Sequence, residues 1–244
     1  MKLHVLDMFS GIGAFSLGLE RAGGFKPVAF VEIDPFCRAV LAKHWPDVPC
    51  HDDVTTREFV EGEADVICAG FPCQDLSYAG QGAGFAGARS GLFWEVVRAL
   101  RLVRPKFLLL ENVAALLDRG LDRVFGALAA NGYDAEWDCV GADRLGASQH
   151  RERIWILANA NDKRLQGPIW AGKSHSAREE WKASCREPLR SACGFWPPGP
   201  LAVNDIPRMF DGPTDRAHRL KAVGNLIVPQ IPELIGRAIM EAMR

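Results

Sequence analysis

Three observations predict an α/β fold in which helices cover both faces of a sheet. Short apolar runs alternate with segments of helical spacing over most of residues 1–160. The runs are continuously apolar, as strands buried on both faces are, rather than alternating apolar and polar. Hydrophobic residues make up 48% of the chain and charged residues 24%, enough apolar surface for a sizeable core. A ligand of such a sheet binds beyond the carboxyl ends of its strands, where the glycine-rich and acidic segments of this sequence fall.

Leu3 to Met8 is the first strand, and it runs into a turn bearing Gly11 and Gly13. Phe15 to Ala22 has helical spacing, with Leu17, Leu19 and Ala22 apolar. Val28 to Val31 reads as the second strand, ended by Glu32 and Asp34, and Phe36 to Trp45 as a helix. Ala64 to Cys68 is a third strand, closed by Gly70 and Pro72. Leu92 to Leu102 is helical, Phe107 to Leu110 is a fourth buried strand, and Ala114 to Ala130 is helical despite Gly120 and Gly126. Arg153 to Ala158 is another strand. After Asn159 scattered Trp, Gly, Pro, Ser and basic residues replace periodicity until Leu220. Val228 to Met243 reads as a final helix, with Pro229 and Pro232 near its start, where proline is tolerated. The chain thus divides into a core (1–160), an irregular insert (161–213) and a C-terminal segment completing the core (214–244).

The 244 residues suit one domain, or one large domain carrying a small insert. With 29 basic and 30 acidic side chains the formal charge is -1, which excludes a polybasic, histone-like protein. The charge is uneven: Lys163 to Lys221 holds 11 Lys or Arg against 6 Asp or Glu, and the rest holds 18 against 24. A basic segment on an acidic body can steer a polyanion to one face, and it is equally what an ordinary solvated surface looks like. Seven cysteines is an odd number in a chain too long to be a small disulfide scaffold. MKLHVLDMFSG has no secretory pattern, and no run of about 20 apolar residues would span a bilayer. The expectation is a soluble cytoplasmic protein with reduced thiols and no membrane attachment.

Asp7-Met-Phe-Ser-Gly-Ile-Gly13 is a glycine turn between strand and helix, without the third glycine of the dinucleotide pattern GxGxxG. Its glycines allow close approach of a ligand and the helix behind offers free N–H groups, although a plain tight turn reads the same way. Glu32 can accept hydrogen bonds from a ribose. Asp53 suits an adenine amino group or an ordinary loop carboxylate. Cys73, in Gly-Phe-Pro-Cys-Gln-Asp-Leu-Ser, sits on a loop that can present a thiol into a cleft. Its polar neighbours fit poorly with the small buried hydrophobe that Cys37, Cys68 and Cys139 resemble. Glu111 follows a buried strand, where burial would raise its pKa and let it deliver a proton at neutral pH. Asn112 beside it suits a helix cap. Gln149, Arg151 and Arg153 alternate onto one strand face and call for an anionic partner, unless they mark an exposed edge. The cysteine and histidine spacings match no standard zinc arrangement, and no metal is expected.

Seven blocks now stand in a recognisable order: DMFSGIG, VEID, GFPCQDLS, RSGLFWE, LLLENV, QHRERI and AVGN. Along essentially its full length the chain resembles the DNA (cytosine-5) methyltransferase family, in a compact form with a short target-recognition insert. The resemblance implies a Rossmann-like sheet binding S-adenosyl-L-methionine, with S-adenosyl-L-homocysteine as product. Phe9, Gly11, Ile12, Gly13, Glu32, Ile33, Asp53, Val54, Pro72, Leu92 and Asn225 match positions around that cofactor, Phe9 beside the adenine and Glu32 on the ribose hydroxyls. Cys73 matches the nucleophile that attacks C6 of a flipped cytosine, Glu111 the acid at N3 and Arg153 the arginine near O2. Gln149 and Arg151 match supports of the pocket. Because Asn225 lies far along the chain, the last segment must fold back against the first.

The same resemblance implies double-stranded DNA as the partner of a monomer in a prokaryotic or phage-infected cytoplasm. Tyr78 to Arg89 is expected to close over the flipped base. The short insert would read few bases, read them from loops or depend on a second, accessory protein. Lys163, Arg164, Lys173, Arg186, Arg190 and Arg208 are its candidate phosphate contacts, and Trp170, Trp181 and Trp196 its candidate core. Leu226 stands where many members carry a small residue. A cytosine-5 RNA methyltransferase would need the same thiolate and carboxylate, and a non-catalytic nucleic-acid binder would keep the fold.

Overall fold

The computed structural model describes residues 2–72, 90–142, 151–161 and 227–243. In chain order the elements are β1 Leu3–Met8, α1 Ala14–Ala22, β2 Phe25–Val31, α2 Pro35–His44, β3 Cys50–His51, β4 Val66–Ala69, α3 Phe93–Val103, β5 Phe107–Val113, α4 Leu116–Arg119, α5 Leu121–Ala130, β6 Tyr133–Gly141, β7 Glu152–Ala160 and α6 Gln230–Ala242. A 3-10 turn, Ser90–Leu92, leads into α3. The strands form one sheet in the order β3-β2-β1-β4-β5-β7-β6. Pairing from β3 through β5 is parallel, and β7 runs antiparallel to both β5 and β6.

The predicted α/β class is the observed one, and the differences in detail have local causes. Pro27 lies inside β2, and the register with β1 slips from Val5↔Pro27 to Leu6↔Ala29. A proline cannot donate to the ladder, so the strand accommodates it with an irregularity and continues back to Phe25. The long helix expected from Ala114 is two helices, because Gly120 at φ 150° breaks it, whereas Gly126 sits inside α5. Asp34 starts α2 by accepting a hydrogen bond from Phe36 N at 2.9 Å, with Pro35 pre-set for the first turn. β3 and β6 were not expected.

Helices α3, α4 and α5 cover one face of the sheet through Phe93, Val96, Leu100, Leu116, Val124 and Leu128. The other face is covered by α1 and α6, with Phe15, Leu19, Ile231, Ile235 and Ile239 against Val5, Val66, Leu109 and Trp155. Burying each large side chain contributes roughly 1.5–3 kcal/mol. Two glycines allow α1 and α6 to touch. A Cβ on Gly18 would collide with the Pro229 carbonyl oxygen and the Pro232 ring, and one on Gly236 would lie 2.8 Å from Ala22 Cβ. The last described helix therefore folds back on the first, as the position of Asn225 requires. Among the described residues no helix is long and apolar enough to cross a membrane.

Chain direction positions the site. From β1 the chain steps outward to β2 and β3, then crosses back to place β4 on the other flank of β1. Met8 pairs with both Val31 and Ala69, so the carboxyl ends of β1, β2 and β4 are level, while Ala69 pairs with Leu110 and β5 runs three residues further, to Val113. The crevice at the β1–β4 switch is where ligands of such sheets bind.

Candidate active site

The turn after β1 is wound tightly. Ser10 Oγ donates to the Asp7 carbonyl at 2.6 Å, and Gly13 N donates to the Ser10 carbonyl at 2.9 Å. Phe9, Gly11 and Gly13 all have positive φ, at 56°, 54° and 86°. A left-handed Phe9 costs roughly 1–2 kcal/mol, strain that the surrounding contacts hold in place. The two glycines, grouped together by sequence, have different work. A Cβ on Gly11 would meet nothing within 4 Å, so this residue faces open space. A Cβ on Gly13 would lie 2.5 Å from the Trp45 ring, so this residue admits a tryptophan. Ile12 is buried with Phe36, Cys37 and Val40.

Asp7 is buried behind this turn. Its Oδ2 accepts Ser16 Oγ at 2.7 Å and Ser16 N at 3.3 Å, so it caps α1 from the neighbouring strand. The helix has no side-chain cap of its own at Gly13. The other carboxylate oxygen is met at most by the weak thiol donor of Cys68. Burial pushes the Asp7 pKa up to about 7, with Ser16 and Cys68 pulling it back and Glu32 adding to the rise.

Glu32 lies one residue beyond β2. Its Oε2 accepts Gly11 N at 2.7 Å and its Oε1 accepts Asp34 N at 2.8 Å, which fixes the carboxylate beside the glycine turn. Ile33 next to it is 74% exposed, an unusual state for a large aliphatic side chain. Asp53 is partly exposed, and its Oδ1 accepts Thr55 Oγ1 at 2.7 Å and Thr55 N at 2.8 Å. Those bonds hold its pKa below the usual carboxylate value. Val54 is buried under the same turn, and Leu92 is half-buried at the head of α3. An open glycine, a fixed carboxylate, an exposed isoleucine and a turn-held aspartate fit the polar and apolar halves of an adenosyl group.

Glu111 is the last group on this edge. It lies inside β5 rather than after it, and its Oε1 is 3.1 Å from Arg153 Nε. Its Oε2 lies 3.5 Å from where a Cβ on Gly70 would stand, so the acid abuts the start of the Cys73 loop. Burial raises the Glu111 pKa, offset by Arg153 and then Arg151. Arg153 also donates to the Glu152 carbonyl at 2.7 Å. Arg153 lies near the start of β7, whereas Glu111 lies near the end of β5. They meet because β7 is antiparallel to β5, with Val113 opposite Arg153 and Glu111 opposite Trp155. Arg151 lies just outside β7, which begins at Glu152, and its carbonyl accepts Ala142 N at 3.0 Å.

Asn112 does not cap a helix. It sits in β5, where its Nδ2 donates to the Phe71 carbonyl at 3.2 Å and so ties the strand to the residue before Pro72. Phe71 packs on Phe93 with ring centroids 5.3 Å apart, and Pro72 is half-buried beside it. Asp7 had no role of its own in sequence and Asn112 only that of a cap, although each is a polar residue beside or inside an apolar run. Ile227 was also missed; its Cδ1 would lie 3.1 Å from a Cβ on Gly70, so the returning C-terminal segment reaches the same edge. Cys37 and Cys68 are buried as expected, and Cys139 is half-buried on β6. Cys73, Gln149, Asn225, Leu226, the stretch Tyr78 to Arg89, and the insert with its tryptophans and basic residues lie outside the described residues.

A Rossmann-like sheet with helices on both faces and this set of groups at its carboxyl edge is the S-adenosylmethionine-dependent methyltransferase fold. Residues 3–191 match the family described as C-5 cytosine-specific DNA methylase, and the chain belongs to that family. Type II methyltransferase M2.BsuMI of Bacillus subtilis is 38% identical over 166 residues, covering 64% of this chain and 42% of that protein. Type II methyltransferase M.BanI of Aneurinibacillus aneurinilyticus is 36% identical over 192 residues, covering 74% of this chain and 44% of that protein. The chain thus spans less than half the length of these relatives. Among solved structures, the methyltransferase EhMeth of Entamoeba histolytica superposes with a TM-score of 0.72 at 12% identity, covering 100% of this chain and 99% of that one. The Dnmt2 methyltransferase of S. pombe gives 0.68 at 15% identity, with 98% and 99% covered. At such identities these two show the fold.

Proposed function

We propose that this chain methylates C5 of cytosine in double-stranded DNA. The observation that carries the reading is the buried Glu111–Arg153 pair, set against Gly70 at the head of the Cys73 loop. The family's dependence on S-adenosylmethionine supports this reading, in which the cofactor lies in the neighbouring crevice, held by Phe9, Gly11, Ile12, Gly13, Glu32, Ile33, Asp53, Val54, Pro72, Leu92 and Asn225. Bound there, it supplies an electrophilic methyl group on a sulfonium.

The chain's own residues make the cytosine reactive. C6 is inaccessible in a duplex, so the nucleotide flips out, and Gln149, Arg151 and Arg153 receive it. The Cys73 thiolate adds to C6, forming the S–C bond, while Glu111 delivers its proton or a hydrogen bond to N3. The electron pair displaced from the C5–C6 double bond makes C5 an enamine-like carbon able to take a methyl group. After transfer a base removes the C5 proton, the double bond re-forms and Cys73 leaves. The raised pKa keeps Glu111 protonated at higher pH than an ordinary carboxyl, and the adjacent arginine stabilises its anion once the proton is given up. The insert, 161–213, contacts duplex DNA, and the protein works as a monomer on cytoplasmic DNA, with or without an accessory specificity protein.

The test is expression in a methylation-free bacterial host followed by site-resolved sequencing of 5-methylcytosine in DNA and in tRNA. Methylated DNA sites are expected from the wild type and none from Cys73→Ser. Glu111→Gln should lower the single-turnover rate at least tenfold with little change in DNA affinity. Methylation confined to tRNA, or a Cys73→Ser variant within tenfold of the wild type, overturns the reading.

A further inference from the structure

The turn that carries Asp53 and Val54 has no strand or helix of its own, yet it is fastened to α3 by a single side chain. Arg98 donates from Nη2 to the Val54 carbonyl at 2.6 Å and from Nη1 to the Arg57 carbonyl at 3.1 Å. Its Nε is held by Glu95 Oε2 at 2.6 Å, one turn earlier on the same helix. All three nitrogens of the guanidinium are therefore committed, and the planar fork is aimed at two backbone carbonyls of one loop.

The rest of the loop is built around this fork. Arg98 and Arg57 both lie over the ring of Phe59, each with Cζ 4.7 Å from the centroid. Arg57 grips Glu63 through Nη1 and Nη2, both at 2.9 Å, and its backbone N–H donates to the Asp53 carbonyl at 3.2 Å. At the far end of the loop Gly62 N donates to the Val103 carbonyl, a second tie to α3 at 2.9 Å. Val54, Arg57 and Phe59 are buried, whereas Asp53 is only partly covered at the edge of this turn. Arginine stacked on an aromatic ring and bonded to two part-buried carbonyls is a rigid attachment, because releasing it leaves both acceptors without that donor.

Helix α3 begins directly after Leu92, which the proposed function also sets against the cofactor. We infer that Arg98 is a positioning residue for the cofactor: by tying the Asp53–Val54 turn to α3, it sets the separation between that turn and Leu92. The inference rests on the cofactor placement of the proposed function, with the adenine amino group at Asp53. Lysine cannot replace it, since one ammonium cannot reach both carbonyls in the fixed geometry of the fork while remaining bonded to Glu95.

The test uses the full chain and S-adenosylhomocysteine as the probe, titrated calorimetrically against the wild type, Arg98→Lys, Arg98→Gln and Asp53→Ala. Both Arg98 variants should raise the Kd about tenfold. KM for S-adenosylmethionine should rise in parallel, while kcat at saturating cofactor falls less than threefold. Asp53→Ala should raise the Kd by a comparable factor. If Asp53→Ala weakens binding and both Arg98 variants stay within twofold of the wild type, this inference fails and the cofactor placement survives. If the wild type does not bind the probe, or Asp53→Ala binds as the wild type does, the placement itself fails and the inference falls with it. If both Arg98 variants lose their cooperative thermal transition, Arg98 serves the fold rather than the cofactor, and the inference is overturned.

Discussion

Asp7 and Glu111 are two carboxyls buried at the same edge of one sheet, and they differ in what compensates their burial. Glu111 has the guanidinium of Arg153 at 3.1 Å, whereas Asp7 has a hydroxyl, an amide and a thiol. The consequence is a pKa for Asp7 of about 7 against an ordinary 3.8. The folded state then holds a proton that the unfolded state has already released between those two values. Stability from this group is fully present below about pH 4 and is lost as pH rises through 7. At 1.36 kcal/mol per unit the loss is on the order of 4 kcal/mol. Asp7→Asn keeps an oxygen for Ser16 and removes the titration, so its urea-unfolding free energy should decline less between pH 5 and pH 8 than that of the wild type. Glu111 titrates in both proteins and cancels in the difference. Equal declines would show that Asp7 is ionised in the folded protein across that range. At this scale the placement of Glu32 just past its strand was legible from residue type and spacing, whereas Glu111 lies inside β5 rather than after it. Gly11 and Gly13 could not be told apart, because only the position of Trp45 distinguishes open space from a packed ring.

Helices were read within a residue or two wherever an apolar stripe met a clear stop, as in α1, α2 and α6. Leu3–Met8, buried on both faces, was equally plain, because it has no competing period, whereas β5 runs three residues past the expected Leu110, through the polar Glu111 and Asn112. β6 was not. It is an edge strand in which Asp134, Glu136 and Asp138 intersperse the apolar residues, and such an edge reads as loop until a partner is known. β3 is two residues long and carries no pattern at all. The close approach of α1 and α6 was also invisible, since Gly18 looks like any helix glycine before its neighbour is seen. Gly18→Ala tests that contact. Alanine gains up to about 1 kcal/mol in helix propensity, but its Cβ meets a backbone carbonyl and a proline ring, neither of which can turn aside. Overpacking of this kind costs about 1–3 kcal/mol, so the urea midpoint should fall with an unchanged slope. A midpoint at or above that of the wild type would mean the two helices are free to separate.

At the scale of the whole molecule, a catalytic sheet and a basic segment divide the proposed labour. Replacing 161–213 with the corresponding segment of another family member should transfer that member's target sequence, read by sequencing methylated sites in the host. Unchanged sites would place specificity in the loops of the catalytic core instead. The sheet was predictable as a whole because local pattern and global layering agree from β1 to β5. The reversal at β7 was not, since strand direction leaves no mark on composition. The return of α6 to α1 bears on something other than catalysis: the order in which the protein can be made. The face of the sheet that carries Val5, Val66, Leu109 and Trp155 is complete in its strands by Ala160, but one of its two covering helices begins only at Gln230. At roughly 5–20 residues per second, that face waits on the order of several seconds for its cover as the chain leaves the ribosome. During that interval the nascent protein presents an apolar surface beside a half-built crevice, a natural substrate for chaperones. On the proposed function, methylation cannot start before α6 has emerged and docked.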